Sequence, residues 1–319
     1  MRSSKVKYGL LKVLTMVLLA VVVPGSCKNH RATVTTKTVD VLKPIERDLT
    51  ELRKQGKLTV LVGNSSSSYF IYRGRPMGFE YELLERLAKH LDLELEVVIP
   101  DDMNDVFDML NRGEGDMIAA SLTITKERAK TVDFTEYLMQ TRQVLVQRKP
   151  ENWRRMSWNN VRRGLIRNQL DLIDKTVHVR RNSSYYSRLV NLSDELGGDI
   201  QIETVSGDVT TEELIKMVAL GEIEYTVVDE HIAELNATYY SDIDIGMPIS
   251  FPQRLAWAVR KNSPALKEAI DQWMLNERKT SDYHHIVKKY YKNRKAYMLR
   301  SASGYHSQFG GRISIYDET

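Results

Sequence analysis

Short apolar runs alternate with amphipathic stretches along most of the chain. Residues 58–62 form a mostly apolar run, which is typical of a strand covered on both faces. Residues 93–99 alternate apolar and polar side chains like a strand with one buried face. Between these two runs, large apolar side chains recur at every fourth position: Phe79, Leu83, Leu87 and Leu91. That spacing gives a helix one core-facing stripe, so the pattern predicts an α/β fold with helices on a mixed sheet.

The second half of the chain repeats this alternation. Thr210 and Glu213 form a capping box that starts a helix, and Gly221 ends it. Residues 224–228 and 255–259 follow as further predicted strands. The alternation of strands and helices thus continues beyond the first half of the chain, as expected for an α/β fold.

The transition from strand to helix at residues 117–130 carries the densest group of candidate binding side chains. Three hydroxyls follow the apolar strand at a spacing of two residues: Ser121, Thr123 and Thr125. In an extended chain they would share one side, with Thr125 capping a helix and Arg128 in its first turn. Hydroxyls, free amides and a guanidinium would then converge on a carboxylate. The alternative is a capped helix with Arg128 in a surface ion pair.

Length and charge add two constraints. A chain of 319 residues can bury a sizeable core and suits two domains or lobes. The formal charge is +4, but four basic side chains lie in an N-terminal segment without acids, and without them the chain is neutral. The overall charge therefore does not indicate nucleic acid as a partner. The basic and aromatic stretch at 153–167 is better explained as a solvated helical face.

The N-terminal segment has the pattern of a secretory signal. A basic start precedes an apolar run at 13–23, which is too short for a comfortable membrane span. Cys27, the only cysteine, follows small residues as in a bacterial lipobox, although Pro24 departs from that pattern and leaves ordinary signal cleavage open. We predict a signal peptide at 1–26, then a lipid anchor on Cys27 and a polar tether at 27–56. The protein would be a membrane-anchored periplasmic lipoprotein, with the outer membrane favoured.

Ordered sequence blocks lie on both sides of the stretch around Arg128. They are GFEYELLERLA at 78–88, GDMIAA at 115–120, VDFTEY at 132–137 and QVLV at 143–146. These blocks resemble those of the bacterial family 3 extracellular solute-binding proteins, best known for amino-acid uptake. Within that family they are most similar to the ligand-binding half of the membrane-bound lytic transglycosylase F group, which carries similar GFEY, LT-T-ER and GEI-YT blocks. The resemblance covers about residues 57–299.

The resemblance implies a bilobed periplasmic-binding-protein-like fold, with two mixed-sheet lobes joined by a two-crossing hinge. Lobe 1 would be discontinuous, formed by residues 57–147 and 247–300. Lobe 2 would comprise residues 148–246, and residues 301–319 would form a C-terminal tail. The hinge is expected near Arg148 and Gly246.

The resemblance also assigns candidate ligand-binding residues: Arg128, Ser121, Thr123, Asp229, Ser183 and Tyr69. Arg128 would hold a carboxylate, and Asp229, at a strand end, would accept the ligand's ammonium group. Ser183 would begin a helix whose N-terminus grips the same carboxylate. Plain helix capping by Asp229 or Ser183, and a core position for Tyr69, remain the alternatives. The neighbouring Glu80 and Glu82 are expected to be solvated or on a polar rim.

The predicted function is that of a solute-binding protein closing on an amino-acid-like or peptide ligand, including one derived from the cell wall. A transporter permease or a transglycosylase domain would be its partner. No catalytic residue, metal or cofactor is predicted. One alternative is the regulatory half of a lytic transglycosylase, since the Glu-Ser and Gly-Leu-Met-Gln catalytic blocks do not occur here. Others are a small-molecule lyase with a cleft carboxylate of raised pKa and a purely structural lipoprotein.

Overall fold

The computed structural model describes residues 44–65 and 67–292, and the backbone of one further strand at Arg312–Ser314. The predicted signal peptide, Cys27 and most of the tail at 301–319 lie outside these residues. Within the described part, none of the helices combines the length and the apolar composition needed to cross a membrane.

Helices and strands alternate along the described chain. The strands are β1 Lys57–Val62, β2 Phe70–Tyr72, β3 Arg75–Met77, β4 Glu94–Val98, β5 Met117–Thr123, β6 Val132–Thr141, β7 Gln143–Arg148, β8 Thr176–Arg180, β9 Gln201–Val205, β10 Tyr225–Asp229, β11 Ile243–Pro248, β12 Gln253–Arg260 and β13 Arg312–Ser314. The helices are α1 Leu49–Gln55, α2 Phe79–Leu91, α3 Val106–Arg112, α4 Trp158–Arg163, α5 Ser184–Leu196, α6 Thr211–Leu220, α7 Glu230–Ala237, α8 Pro264–Glu277 and α9 Ser281–Val287. Short 3₁₀ turns lie at Arg128–Lys130, Trp153–Arg155 and Gln169–Leu172, and a π-helical turn at Lys288–Lys292.

The first sheet has the strand order β13-β4-β1-β5-β12-β6. Strands β4, β1 and β5 are parallel, and β12 runs antiparallel to both β5 and β6. Alternate residues of β1 enter opposite cores, so Val60 packs in one apolar cluster and Leu61 in another. The sequence of β1 is nearly continuously apolar because both faces of this strand are covered.

The second sheet has the order β11-β7-β10-β8-β9, with β10, β8 and β9 parallel and β7 antiparallel to its neighbours. It too has an apolar cluster on each face, so Val144 and Leu145 of β7 belong to different clusters. We call the part built on the first sheet lobe 1 and the part built on the second sheet lobe 2. Two mixed sheets flanked by helices confirm the predicted α/β fold class.

The chain passes between the two sheets at Arg142 and again between Pro248 and Gln253. The predicted crossings near Arg148 and Gly246 need correction, because all of β7 and β11 pair within the second sheet. The reason is that β6 and β7 are separated by Arg142 alone, so hydrophobicity does not mark the change of sheet. Arg142 is instead fixed by a 2.5 Å ion pair with Glu230.

The segment before β1 packs on lobe 1, which corrects the tether predicted through residue 56. Asp48 and Glu51 form a capping box at the start of α1, and Leu49 and Leu52 are buried. The Arg47 guanidinium donates to Asp116 at 2.6 Å. Two leucines three residues apart, behind a capping box, are a helix signal that a mostly polar composition conceals.

Candidate functional site

A cavity of about 130 Å³ lies between the two lobes. Its walls include residues that follow β1 and residues at the ends of β5, β8 and β10, among them Gly63, Thr123, Arg180 and Asp229. Ligands in open α/β sheets bind outside the carboxyl ends of the strands, which is where this cavity is found. One water needs roughly 10–15 Å³ by the same measure, so the cavity has room for a solute of about ten heavy atoms.

A hydrogen bond between side chains joins the lobes beside this cavity. The Ser184 hydroxyl, in the first turn of α5, donates to Thr123 Oγ1 of β5 at 3.1 Å. Thr123 is buried, while Ser184 is partly exposed. Thr123 therefore lies on the cavity as expected, and its hydroxyl contacts the opposite lobe. Ser184 was not singled out by the sequence, which favoured its neighbour Ser183.

Arg128 lies on the wall of the cavity that lobe 1 supplies. Its backbone amide donates to Thr125 Oγ1 at 3.2 Å. A 3₁₀ turn of three residues, preceded by Glu127 without a side-chain capping bond, replaces the helix that Thr125 was expected to cap. The turn is short because β6 begins at Val132. The Arg128 Nη1 donates to the Thr123 carbonyl at 3.1 Å, and the guanidinium lies 5.7 Å from the Phe107 ring centroid.

The charge of Arg128 is poorly compensated. Burial is the main cause that lowers the pKa of this guanidinium. Across residues 44–65 and 67–292, no carboxylate lies within ion-pair distance of it, so the alternative of a surface ion pair does not describe this side chain. A desolvated guanidinium without an anionic partner is costly, which makes it suited to receive an anion.

Ser121 also lines the cavity, but its hydroxyl points to lobe 1. Its φ of 45° places it in the left-handed region and interrupts the extended chain. The hydroxyl donates to Glu80 Oε1 at 2.5 Å, and the Trp257 indole donates to Glu80 Oε2 at 2.5 Å. The three hydroxyls at 121, 123 and 125 therefore do not share one side, which corrects the extended-chain expectation.

Glu80 is fully buried, which corrects the expectation that it is solvated or on a polar rim. Burial raises the pKa of its carboxyl, and the hydrogen bonds from Ser121 and Trp257 oppose that rise. A carboxylate can be buried at this point of α2 because two donors satisfy it. Neither donor is close to Glu80 in sequence, so helical periodicity alone could not reveal the contact.

Asp229 ends β10 on the lobe 2 side of the cavity and is buried. Its Oδ2 accepts from the Tyr185 hydroxyl at 3.0 Å, whereas its Oδ1 has no hydrogen-bond partner among the described residues. Burial raises the pKa of Asp229 to about 7, against the Tyr185 hydrogen bond and the charges of Arg128 and Arg180. Asp229 precedes α7 without making a capping bond, so plain capping does not describe its side chain.

Ser183 is committed to capping α5. Its Oγ accepts from the Tyr186 amide at 3.2 Å and donates to the Arg180 carbonyl at 2.7 Å. The capping alternative therefore describes its hydroxyl, although Ser183 also lines the cavity. The N-terminal turn of α5 reaches the cavity through Ser184 and Tyr185 as well.

Tyr69 lies in the core of lobe 1, contrary to the expected position at the cleft. It is 2% exposed, and its ring meets Tyr81 edge-on with centroids 5.6 Å apart. Aromatic rings that do line the cavity are those of Tyr185 in lobe 2 and Tyr291, near the end of the described chain. In the loop after β1, the polar neighbours Ser65 and Ser67 line the cavity.

Arg180 and His231 are cavity residues that the sequence did not single out. Arg180 is the last residue of β8, and its buried Nε has no hydrogen-bond partner in the described part of the chain. The sequence position of Arg180 could have indicated a cavity residue, because Arg180 ends β8 just as Asp229 ends β10. Burial lowers the pKa of His231 to about 4, which leaves it neutral near pH 7.

Among the residues described, no group of three or more acidic, His or Cys side chains could hold a metal ion.

The blocks shared with other proteins span both lobes. The family described as bacterial extracellular solute-binding proteins, family 3, matches residues 58–293. This chain belongs to that family. The match begins in β1 and ends just after the π-helical turn, so it contains both sheets and the cavity between them.

Relatives in the family confirm the resemblance to lytic transglycosylase F. A membrane-bound lytic murein transglycosylase F of Desulfosudis oleivorans is 38% identical over 245 residues, which cover 77% of this chain and 51% of that protein. A protein of the same name from Saccharophagus degradans is 33% identical over 225 residues, covering 69% of this chain and 41% of the relative. The chain thus spans about half the length of the curated relatives it matches.

Solved structures of amino-acid-binding proteins share the fold. A mutant of ArgBP from T. maritima has a TM-score of 0.64 at 23% identity, with 77% of this chain and 99% of that chain covered. AbpA from Streptococcus pneumoniae, bound to L-arginine, has a TM-score of 0.63 at 18% identity, with 78% and 98% covered. An ancestral amino-acid-binding protein described as a precursor of cyclohexadienyl dehydratase has a TM-score of 0.62 at 23% identity, with 76% and 99% covered.

Proposed function

We propose that this protein is a periplasmic solute-binding protein that closes its two lobes on a small amino-acid-like or peptide ligand. The observation that carries the proposal is a pair of unsatisfied charged groups in one cavity. Within the described residues, Arg128 of lobe 1 lacks an anionic partner, and Asp229 Oδ1 of lobe 2 lacks a donor. A ligand with a carboxylate and an ammonium group would satisfy both.

The two groups face one another closely enough to interact. The charge of Arg128 lowers the pKa of Asp229, and the charge of Asp229 raises the pKa of Arg128. They nevertheless form no ion pair, so an intervening zwitterion could contact both. Each hydrogen bond to a charged group contributes about 1.5–3 kcal/mol, which is sufficient to favour binding after the cost of desolvation.

Closure of the lobes would follow from the position of these groups. Arg128 and Asp229 belong to different lobes, and the chain passes between these lobes at the two crossings. A ligand that touches both favours the closed arrangement over an open one by its extra contacts. The Ser184–Thr123 hydrogen bond adds to the closed arrangement at the cavity wall.

The experiment varies the ligand rather than the protein. Amino acids and short peptides, including peptides of cell-wall composition, are screened by thermal shift, and hits are measured by calorimetry. N-acetylation of a hit should abolish the contact with Asp229, and C-amidation should weaken the contact with Arg128, each reducing affinity by at least about tenfold. Unchanged affinity for both modified forms, or no hit in the screen, would contradict the proposal.

We further propose that Cys27 anchors the protein to a membrane and that a lytic transglycosylase domain, rather than a permease, responds to the bound ligand. The lytic transglycosylases of similar sequence support the second point. The first is tested by replacing Cys27 with Ala and fractionating the cells. The variant should move from the membrane fraction to the soluble periplasmic fraction, because a chain without the Cys27 thiol cannot carry the acyl anchor. Retention of Cys27→Ala in the membrane fraction would contradict lipid anchoring.

A further inference from the structure

Two guanidinium groups line the same cavity, one from each lobe. Arg128 comes from the turn after β5, and Arg180 ends β8. They are near neighbours, since the charge of Arg180 is one cause that lowers the pKa of Arg128. Like charges placed together in a partly dry cavity repel each other, so an arrangement of this kind needs an anion to stabilise it.

No described carboxylate forms an ion pair with Arg180, although Asp229 is near enough for the charge of Arg180 to lower its pKa. The Arg180 Nε is buried without a hydrogen-bond partner in the described residues. Asp229 is held by Tyr185 through one oxygen, and its other oxygen is buried beside the cavity without a hydrogen-bond partner among the described residues. Glu212 also lines the cavity, but it already has an interaction of its own and is not a free counter-charge.

The helices that reach the cavity add to its preference for anions. Helix α5, of 13 residues, and helix α6, of 10 residues, both place their N-terminal turns on the lining, at Ser184 and at Thr211. Helix N-termini carry partial positive charge and favour anionic groups. The cavity therefore offers two guanidinium groups and two helix N-termini to anions, against one free oxygen of Asp229 for a cation.

We propose that the ligand is an amino acid with an acidic side chain, so that it carries two carboxylates and one ammonium group. This rests on the function proposed above. One carboxylate contacts Arg128, the ammonium group contacts Asp229, and the second carboxylate contacts Arg180. A molecule such as glutamate has about ten heavy atoms, which matches the volume of the cavity.

The charge on the side chain, rather than its shape, would give the preference. Glutamine has the size and shape of glutamate, but its amide leaves the Arg180 guanidinium without a counter-charge. Hydrogen bonds between charged partners contribute about 1.5–3 kcal/mol, so the acid should bind roughly ten- to a hundredfold more tightly than its amide.

The test compares acids with their amides by calorimetry on the purified chain. The probes are glutamate, glutamine, aspartate and asparagine in both enantiomers, with alanine as a probe that lacks a polar side chain. Wild type should prefer at least one acid over its amide by about tenfold or more. Arg180→Met should lose that preference and still bind the amide, because it retains Arg128 and Asp229. The matched control is Arg181→Met, which changes the neighbouring exposed arginine and should keep the preference.

Folding of the Arg180→Met variant is checked by its thermal midpoint. Because Nε of Arg180 has no partner, its replacement breaks no ion pair in the described chain, and the midpoint should not fall. Wild type that binds an amide or alanine as tightly as the acids would overturn the proposal while leaving the proposed function intact. An acid preference that survives in Arg180→Met would also overturn it. Failure of wild type to bind any of these probes, with a different hit in the ligand screen, would overturn this proposal and leave the proposed function intact. The absence of any hit in that screen would contradict both.

Discussion

At the scale of single residues, Arg128 is the group on which the proposed binding most depends. Arg128→Ala should weaken ligand binding by roughly ten- to several-hundredfold, because an enclosed carboxylate loses its charged donor. Arg128→Lys should recover only part of this loss, since an ammonium group cannot donate two parallel hydrogen bonds. Calorimetry with the hit from the ligand screen measures both variants. Arg155→Ala, which removes an exposed arginine, is the control and should bind as wild type does.

The ligand-free protein provides a second readout for Arg128. The guanidinium has no ion pair in the described chain, so its removal should leave the thermal midpoint nearly unchanged. Equal affinity of wild type and Arg128→Ala would place the ligand elsewhere.

Asp229 should make the stability of the ligand-free protein depend on pH. Its pKa is raised to about 7 in the folded protein, so between about pH 4 and pH 7 the folded state holds a proton that the unfolded state has released. Stability from this group is present at low pH and is lost as the pH rises through 7. The neighbouring charges are those of Arg128 and Arg180, and neither Tyr185, whose pKa is raised, nor His231, at about 4, changes charge near pH 7.

The measurement is chemical denaturation between pH 4.5 and pH 8 for wild type and Asp229→Asn. The asparagine variant cannot ionise, so it should gain stability relative to wild type as the pH rises, by at most about 1.4 kcal/mol per pH unit. Parallel pH profiles for the two proteins would show that Asp229 does not titrate with a raised pKa.

At the scale of helices and strands, hydrophobic spacing predicts α2, β1 and β10. The apolar side chains of each of these elements pack against the layer that covers the same face of the sheet. It cannot predict features that depend on distant residues. The turn of Ser121 toward Glu80 needs Trp257, which lies more than a hundred residues further along. In the site, Asp229 could be found from sequence by its place at a strand end. The sequence left both a cleft and a core position open for Tyr69, since buried and cleft-facing aromatic residues have the same local pattern.

Helix α1 is an element that composition concealed, and its contribution can be measured. Leu52 is fully buried against lobe 1, so Leu52→Ala should lower the free energy of unfolding by about 2–5 kcal/mol. The control is Lys54→Ala, an exposed position in the same helix that should change stability by less than about 0.5 kcal/mol. Equal stability of the two variants in urea denaturation would show that α1 does not pack as described.

At the scale of the whole molecule, the Ser184–Thr123 hydrogen bond links lobe closure to ligand affinity. Its net contribution should be about 0.5–1.5 kcal/mol, so Ser184→Ala should weaken binding by roughly two- to tenfold. Solution scattering should show the radius of gyration falling when ligand binds, with a higher ligand concentration needed in Ser184→Ala. Ser187→Ala, exposed in the same helix, is the control. A radius that does not respond to ligand in wild type would argue against closure.

The hydrogen bonds that hold α1 on lobe 1 determine which part of the molecule would bear a mechanical load. Asp48 accepts hydrogen bonds from the amides of Leu49 in α1 and of Ala265 and Leu266 in α8, while the backbone of Arg47 accepts one from Arg260. A pulling force applied to the chain at residue 44 would therefore be taken up by lobe 1, through the hydrogen bonds that join the start of α1 to α8 and Arg47 to Arg260. We therefore expect lobe 2 to move relative to lobe 1, to which residue 44 is attached, when the cavity opens or closes.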